Sequence, residues 1–172
     1  NISNNFGVLV LAGPESRSVL SQIADCELDN DNFSWLTGKE ISINNITVRA
    51  LRINYVGELG WELHHPINEM EKLYDLIMSV GKKYKISNFG TYAVNSLRIE
   101  KAYKGWGSEL TGEISLVESN MKRFYDLDKK DNFIGAKAIK EILKGNIDIK
   151  IVYLEIDINK GDALGNEPVY HN

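Results

Sequence analysis

The sequence holds one cysteine, Cys26, in 172 residues. A disulfide framework and an all-cysteine zinc site within the chain are thereby excluded. Basic residues do not dominate either: 20 Lys and Arg stand against 24 Asp and Glu, a formal charge of -4. A dedicated nucleic-acid binder needs a basic face to neutralise phosphates, so no nucleic-acid partner is expected. No apolar run approaches the roughly 20 residues that cross a bilayer, so no membrane partner is expected. The first residues, Asn1-Ile2-Ser3-Asn4-Asn5, show neither the charged nor the apolar region of a signal peptide. A cytoplasmic setting is the default expectation, as is a piece of a longer protein trimmed at both ends. The chain has no Gly-x-Gly-x-x-Gly, phosphate loop, His-Glu-x-x-His or Gly-x-Ser-x-Gly.

What is present is an ordinary globular composition, 43% hydrophobic and 26% charged. Such a chain is long enough to bury its own core. Residues 8–11 form a continuous apolar run, which predicts a strand buried on both faces. Gly13-Pro14 breaks it, and Val19, Leu20 and Ile23 predict a helix over 14–24. Residues 25–38 read as a loop anchored by Phe33, Trp35 and Leu36.

Two β-rich segments, 41–43 and 46–48, flank Asn44-Asn45, which predicts a tight hairpin because Asn tolerates positive φ. The second strand is expected to run through Leu51, Ile53 and Tyr55, with a bulge near Ala50. Asn68 and Glu71 have capping-box spacing ahead of a helix over 69–84. A second helix, carrying Ala93, Leu97 and Ile99, is expected over 90–102. Residues 103–120 read as irregular. A short strand is expected over 124–127, a helix over 135–143 and a strand over 149–158. Hairpins outnumber crossover units, so the fold class is α+β, a mainly antiparallel sheet flanked by helices. A composition break near 145–148 marks the expected boundary between domains 1–147 and 148–172.

His64 and His65 are adjacent, so on a strand they point to opposite faces and cannot chelate one metal together. Cys26 lies between Asp25 and Glu27, whose carboxylates oppose a reactive thiolate. The informative stretch is Tyr55-Val56-Gly57-Glu58-Leu59-Gly60-Trp61-Glu62-Leu63. With Glu58-Leu59 as a hairpin tip, Tyr55 would face Glu62 across the ladder and share its side of the sheet. A carboxylate beside an aromatic ring can take two adjacent N–H groups of a flat heterocycle. On spacing alone, an exposed hairpin with a solvated Glu is the simpler alternative.

The same stretch, preceded by Arg52-Ile53-Asn54, resembles the folate-binding domain of the glycine cleavage T-protein (aminomethyltransferase) family. It is most similar to the branch fused to dimethylglycine and sarcosine dehydrogenases. Three further blocks agree in order and spacing: Val8-Leu9-Val10-Leu11-Ala12-Gly13-Pro14-Glu15-Ser16-Arg17, Tyr92-Ala93-Val94-Asn95-Ser96-Leu97-Arg98-Ile99-Glu100-Lys101 with the following Tyr103-Lys104-Gly105-Trp106-Gly107, and Asp131-Asn132-Phe133-Ile134-Gly135-Ala136-Lys137-Ala138-Ile139. Four blocks in order favour the pocket over the solvated hairpin.

The resemblance implies transfer of a methylene unit from an aminomethyl or iminium donor to tetrahydrofolate. Glu62 would hold the pterin and Tyr55 would line its pocket, with Tyr103 and Trp106 as further walls. The partners it implies are folate and a small amine or aminomethyl-lipoyl donor. FAD would enter only through a separate upstream domain. Where stand-alone aminomethyltransferases carry Arg and Asp, this chain has Val94 and Asn95, which favours the dehydrogenase-linked branch. The family's essential acid lies upstream of the Gly-Pro block, so no catalytic residue is expected here and the stretch alone is expected to be inactive. It would be the second half of the folate-binding unit, followed from about 149 by the first strands of a C-terminal barrel, with the other domains of the parent missing. Two alternatives stay open. One is a non-catalytic folate protein of the iron–sulfur assembly type, whose turn carries a Cys where this chain has Asn54. The other is a structural docking domain of a flavin dehydrogenase.

Overall fold

The computed structural model describes residues 1–130, 133–157, 163 and 165–170. The chain divides into two compact units, Asn1–Lys104 and Gly105–Asn172.

The first unit is built on a four-stranded antiparallel sheet in the order β1-β4-β3-β2, with β1 Phe6–Ala12, β2 Gly38–Ile43, β3 Ile46–Leu51 and β4 Gly60–Pro66. Helices α1 (Ser16–Leu20), α2 (Met70–Gly81) and α3 (Thr91–Glu100) accompany it. The architecture is α+β, as the hairpin-rich pattern predicts. The β2–β3 turn is the expected one: Asn44 and Asn45 both take left-handed backbone, at φ 49° and 65°. Consecutive positive φ values match the twist of a two-residue hairpin.

Alternation along the strands gives the sheet two unlike faces. Ile41, Ile43, Ile46, Val48, Ala50, Trp61, Leu63, His65 and Leu11 point to one side and are buried. Phe33, Leu20 and Leu73 complete this core, with α1 packed on β4 and α2 on β1. The opposite face is open. Val8 and Val10 lie there, 44% and 46% exposed, which corrects the expectation of a strand buried on both sides. Among the described residues the helices pack on the core side of the sheet, so the apolar run of β1 is covered from that side and Val8 and Val10 are left on the other.

Other boundaries moved for non-local reasons. α1 ends at Leu20 rather than 24 because the chain must join β2: Ala24 bridges Ile43, and Asp25 exchanges hydrogen bonds with Ser42 (Asp25 N–H to the Ser42 carbonyl, 3.1 Å; Ser42 N–H to Asp25 Oδ1, 2.8 Å). Phe33 anchors the following loop, fully buried, whereas Trp35 and Leu36 are more than half exposed. The 69–84 helix forms as a 3-10 turn Ile67–Glu69, α2, and a 3-10 turn Lys82–Tyr84. Asn68 sits inside the first turn, so the expected capping box does not form. In α3 the buried residue is Arg98, while Ala93 and Ile99 are exposed. Its guanidinium donates to Asn95 Oδ1 at 2.9 Å and to the Tyr103 carbonyl at 2.8 Å, closing the helix end.

The second unit carries a 3-10 turn Lys122–Phe124 where a short strand was expected, and α4, Ala136–Lys144, close to its expected span. α4 buries Ala136 and Ile139. Among the described residues 149–157 no strand forms; Ile151 makes a single backbone bond, to the Glu118 carbonyl at 3.0 Å. Residue 158, the end of that expected strand, lies outside the described residues, as do 131 and 132.

Candidate functional site

The open face of the sheet carries the chemistry. Glu62 occupies the middle of β4, directly between Val10 of β1 and Leu51 of β3. His64, two residues on, lies between Val8 and Arg49. Residues two apart on a strand share a face, and here the two side chains meet: Glu62 Oε2 is 3.1 Å from His64 Nε2, both about one-third exposed. The result is a carboxylate oriented by an imidazole and bordered by apolar side chains on both neighbouring strands. Such a group can accept two adjacent N–H donors from a flat ligand resting on Val10 and Leu51.

Gly60 sets how closely the strands approach. A Cβ there would lie 2.6 Å from the Leu11 carbonyl oxygen and 2.9 Å from Ala12 Cα. Those are backbone atoms of the paired strand and cannot swing aside, so the β1–β4 ladder at its Glu62 end requires glycine.

Tyr55 does not stand opposite Glu62, a correction to the expected hairpin. The ladder places Leu51 there, and Gly60 faces Ala12 rather than Gly57. β3 ends at Leu51 because the chain turns back at once, Ile53 N–H donating to the Leu51 carbonyl at 2.8 Å. Asn54 then takes over the hydrogen bonding that a ladder would have used. Its Oδ1 accepts from Val56 N–H at 3.0 Å, and its amide donates to the Glu58 carbonyl at 2.5 Å. Asn side chains compete with strand ladders in this way. Gly57, at φ 72°, supplies the left-handed turn. The reversal is therefore an eight-residue loop, 52–59, instead of a two-residue tip, and no bulge occurs near Ala50. Glu58 pairs with Lys101 at 3.4 Å.

Tyr55 is brought to Tyr103 instead. Their ring centroids are 6.3 Å apart, and the Tyr55 hydroxyl donates to the Lys104 carbonyl at 2.5 Å. Trp106 belongs to the second unit, 89% exposed, in a small loop where it bridges Leu110. Sequence reasoning weighed His64 only as a metal ligand and missed it as a partner of Glu62. The signal was there: an acid and a histidine two apart on a strand. His65, on the other face, is fully buried with Nδ1 2.9 Å from the Pro66 carbonyl. Among the described residues no group of three potential ligands is placed to hold a metal.

Against known proteins, the chain matches the family model of the GCVT N-terminal domain over residues 1–129. Human mitochondrial dimethylglycine dehydrogenase is 41% identical over 172 residues, covering 100% of this chain and 20% of that protein. Human mitochondrial sarcosine dehydrogenase is 31% identical over 170 residues, 99% of this chain and 18% of that one. An aminomethyltransferase of Thermoanaerobacter sp. (strain X514) is 31% identical over 172 residues, 100% of this chain and 46% of that one. The chain thus spans about a fifth of the length of the dehydrogenases it matches. These relatives bear out the resemblance to the T-protein family and to its dehydrogenase-linked branch.

Proposed function

The chain belongs to the GCVT N-terminal domain family, and from that premise we propose that it forms a tetrahydrofolate-binding wall within a longer protein that moves a one-carbon unit from a small amine or iminium donor. Glu62 carries this reading. It is a half-buried carboxylate at the centre of an open sheet face, held by His64 and bordered by Val10 and Leu51. The donor set suits a reduced pterin, whose ring N–H and amino group are adjacent donors on a flat, largely apolar body. Glu62 would accept those two hydrogen bonds, with Val10 and Leu51 against the ring. Tyr55 and Tyr103 are assigned to the wall beyond it, as an aromatic pair on the loop side of the same unit. Trp106 has no part in the assignment. Tetrahydrofolate, when bound, supplies the acceptor for the one-carbon unit. The dehydrogenase relatives support a small methylated amine on the donor side, and FAD would belong to another domain of the longer chain.

The test is titration calorimetry of tetrahydrofolate with the full-length protein and its Glu62→Gln variant. Loss of one charged acceptor from a bidentate pair is expected to cost about 1.5–3 kcal/mol, a tenfold to hundredfold weakening. His64→Ala is expected to weaken binding less, because His64 orients the carboxylate without touching the ligand. Equal affinity of the wild type and Glu62→Gln would reject the assignment. A full-length protein that binds no folate would leave the docking role as the better reading.

A further inference from the structure

On the other side of the sheet from Glu62, two arginines converge on one neutral side chain. Arg17 of α1 donates to Asn30 Oδ1 at 2.9 Å, and Arg52, just past β3, donates to the same oxygen at 2.8 Å. Arg52 also donates to the Phe33 carbonyl at 2.5 Å, and its guanidinium lies over the buried Trp61 ring, 5.9 Å from the centroid. Among the described residues no carboxylate pairs with either arginine. Asp29, in the same loop, spends its oxygens on Asp31 N–H, Asn32 N–H and the Asn32 amide. Both arginine Nε atoms are buried, and among the described residues neither has an acceptor.

This is an unusual arrangement. Like charges held close repel, and buried donors without acceptors are costly. Burial, and after it the neighbouring Arg17 charge, hold the Arg52 guanidinium below the ordinary arginine pKa. The pair is nevertheless held in place from both sides. α1 is tied down by Ser16, whose hydroxyl donates to the Leu59 carbonyl at 3.0 Å. Arg52 is pinned by Phe33 and Trp61. What the two guanidiniums share is one neutral oxygen, presented by an exposed side chain at the surface.

We propose that Arg17 and Arg52 form a binding site for an oxyanion, a phosphate or carboxylate group, which displaces or joins the Asn30 amide between the two guanidiniums. Two forked guanidiniums present several N–H donors to such a group and match its oxygens in pairs. The anion supplies the charge that Asn30 lacks. The site is independent of the folate reading, since it lies on the opposite face and uses none of its residues.

The test is thermal unfolding of the full chain with inorganic phosphate or with glutarate, each against chloride at matched ionic strength. The wild type is expected to gain about 3 °C or more at saturating oxyanion. A response to phosphate alone identifies a phosphoryl ligand, and a response to glutarate identifies a carboxylate. Arg17→Gln removes a single side-chain bond and is expected to weaken the apparent affinity at least tenfold while keeping the fold. Asn30→Asp provides the counter-charge from within, so it is expected to raise Tm in chloride and to abolish the oxyanion response. No gain over chloride for either ion, or an undiminished response in Asn30→Asp, would show that the arginines only clamp the 29–34 loop and would overturn the proposal.

Discussion

The two faces of the sheet make a quantitative prediction. Leu63 sits in β4 on the core side, fully buried, opposite Leu9 of β1 and Ala50 of β3. Leu63→Ala removes its side chain from a site walled by two paired strands, which cannot collapse to fill the gap. The cost should fall in the upper part of the usual 2–5 kcal/mol range, about 3–4 kcal/mol. Val10 lies one strand away on the open face, 46% exposed. Val10→Ala removes about two methylene equivalents at about 0.8 kcal/mol each, roughly half of which is already in water. Its cost should be about 1 kcal/mol or less. Urea unfolding followed by tryptophan fluorescence reads both, because Trp61 is fully buried while Trp35 and Trp106 are largely exposed. In thermal melts the pair should separate by about 5–10 °C. Equal costs for the two variants, or a loss below about 1.5 kcal/mol for Leu63→Ala, would refute the one-sided core.

Three further outcomes are expected. Asn45→Ala should cost about 1 kcal/mol, because alanine resists the left-handed backbone at φ 65°, whereas Asn45→Gly should be neutral or slightly stabilising; chemical denaturation separates them. The Asn32 side chain, followed by its backbone N–H, holds the Asp29 carboxyl below its ordinary 3.8, at about 2. A depressed carboxyl stabilises above its unfolded pKa and loses that contribution as pH falls through the folded one. Amide protection of Asp31 and Asn32 should therefore decline between about pH 3.8 and about 2, and Asp29→Asn should abolish that step in exchange measurements. Burial, and after it the Asp25 carboxylate, push the Cys26 thiol up against the smaller opposing pull of Lys39. Iodoacetamide near neutral pH should label Cys26 more slowly in the folded chain than in urea, and equal rates would contradict this.

The features readable in advance were local ones. Asn44-Asn45 carries its own backbone preference, so the hairpin follows from two residues. The apolar spacing of Leu73, Ile77 and Val80 needs no partner to announce a helix, and α2 forms where that spacing runs. Ordered blocks such as Gly-Pro after an apolar run, or Gly57-Glu58-Leu59-Gly60-Trp61-Glu62, were enough to place the chain in its family. The candidate acid, Glu62, was legible for the same reason.

What misled was distance along the chain. Nothing near Val8 and Val10 says that one face of β1 stays open, because that depends on which side of the sheet the distant α2 packs. α1 looks four residues longer than it is until Ala24 is seen to bridge Ile43. A symmetric turn would set Tyr55 against Glu62, but the Asn54 side chain captures the loop backbone and the ladder places Leu51 there instead. His64 became the partner of Glu62, and Arg17 met Arg52, only once strands and helix were assembled.

Composition and short-range pattern were sufficient for the α+β class, the Asn-Asn hairpin and the family, and they singled out the acid at position 62 as a candidate, since each rests on preferences that neighbouring residues impose on one another. Register, the open face, the imidazole beside that acid and the convergence of Arg17 and Arg52 on Asn30 came from long-range pairing. Side chains far apart in the chain acquire their electrostatic and packing partners only when burial of the apolar face has selected one arrangement of strands.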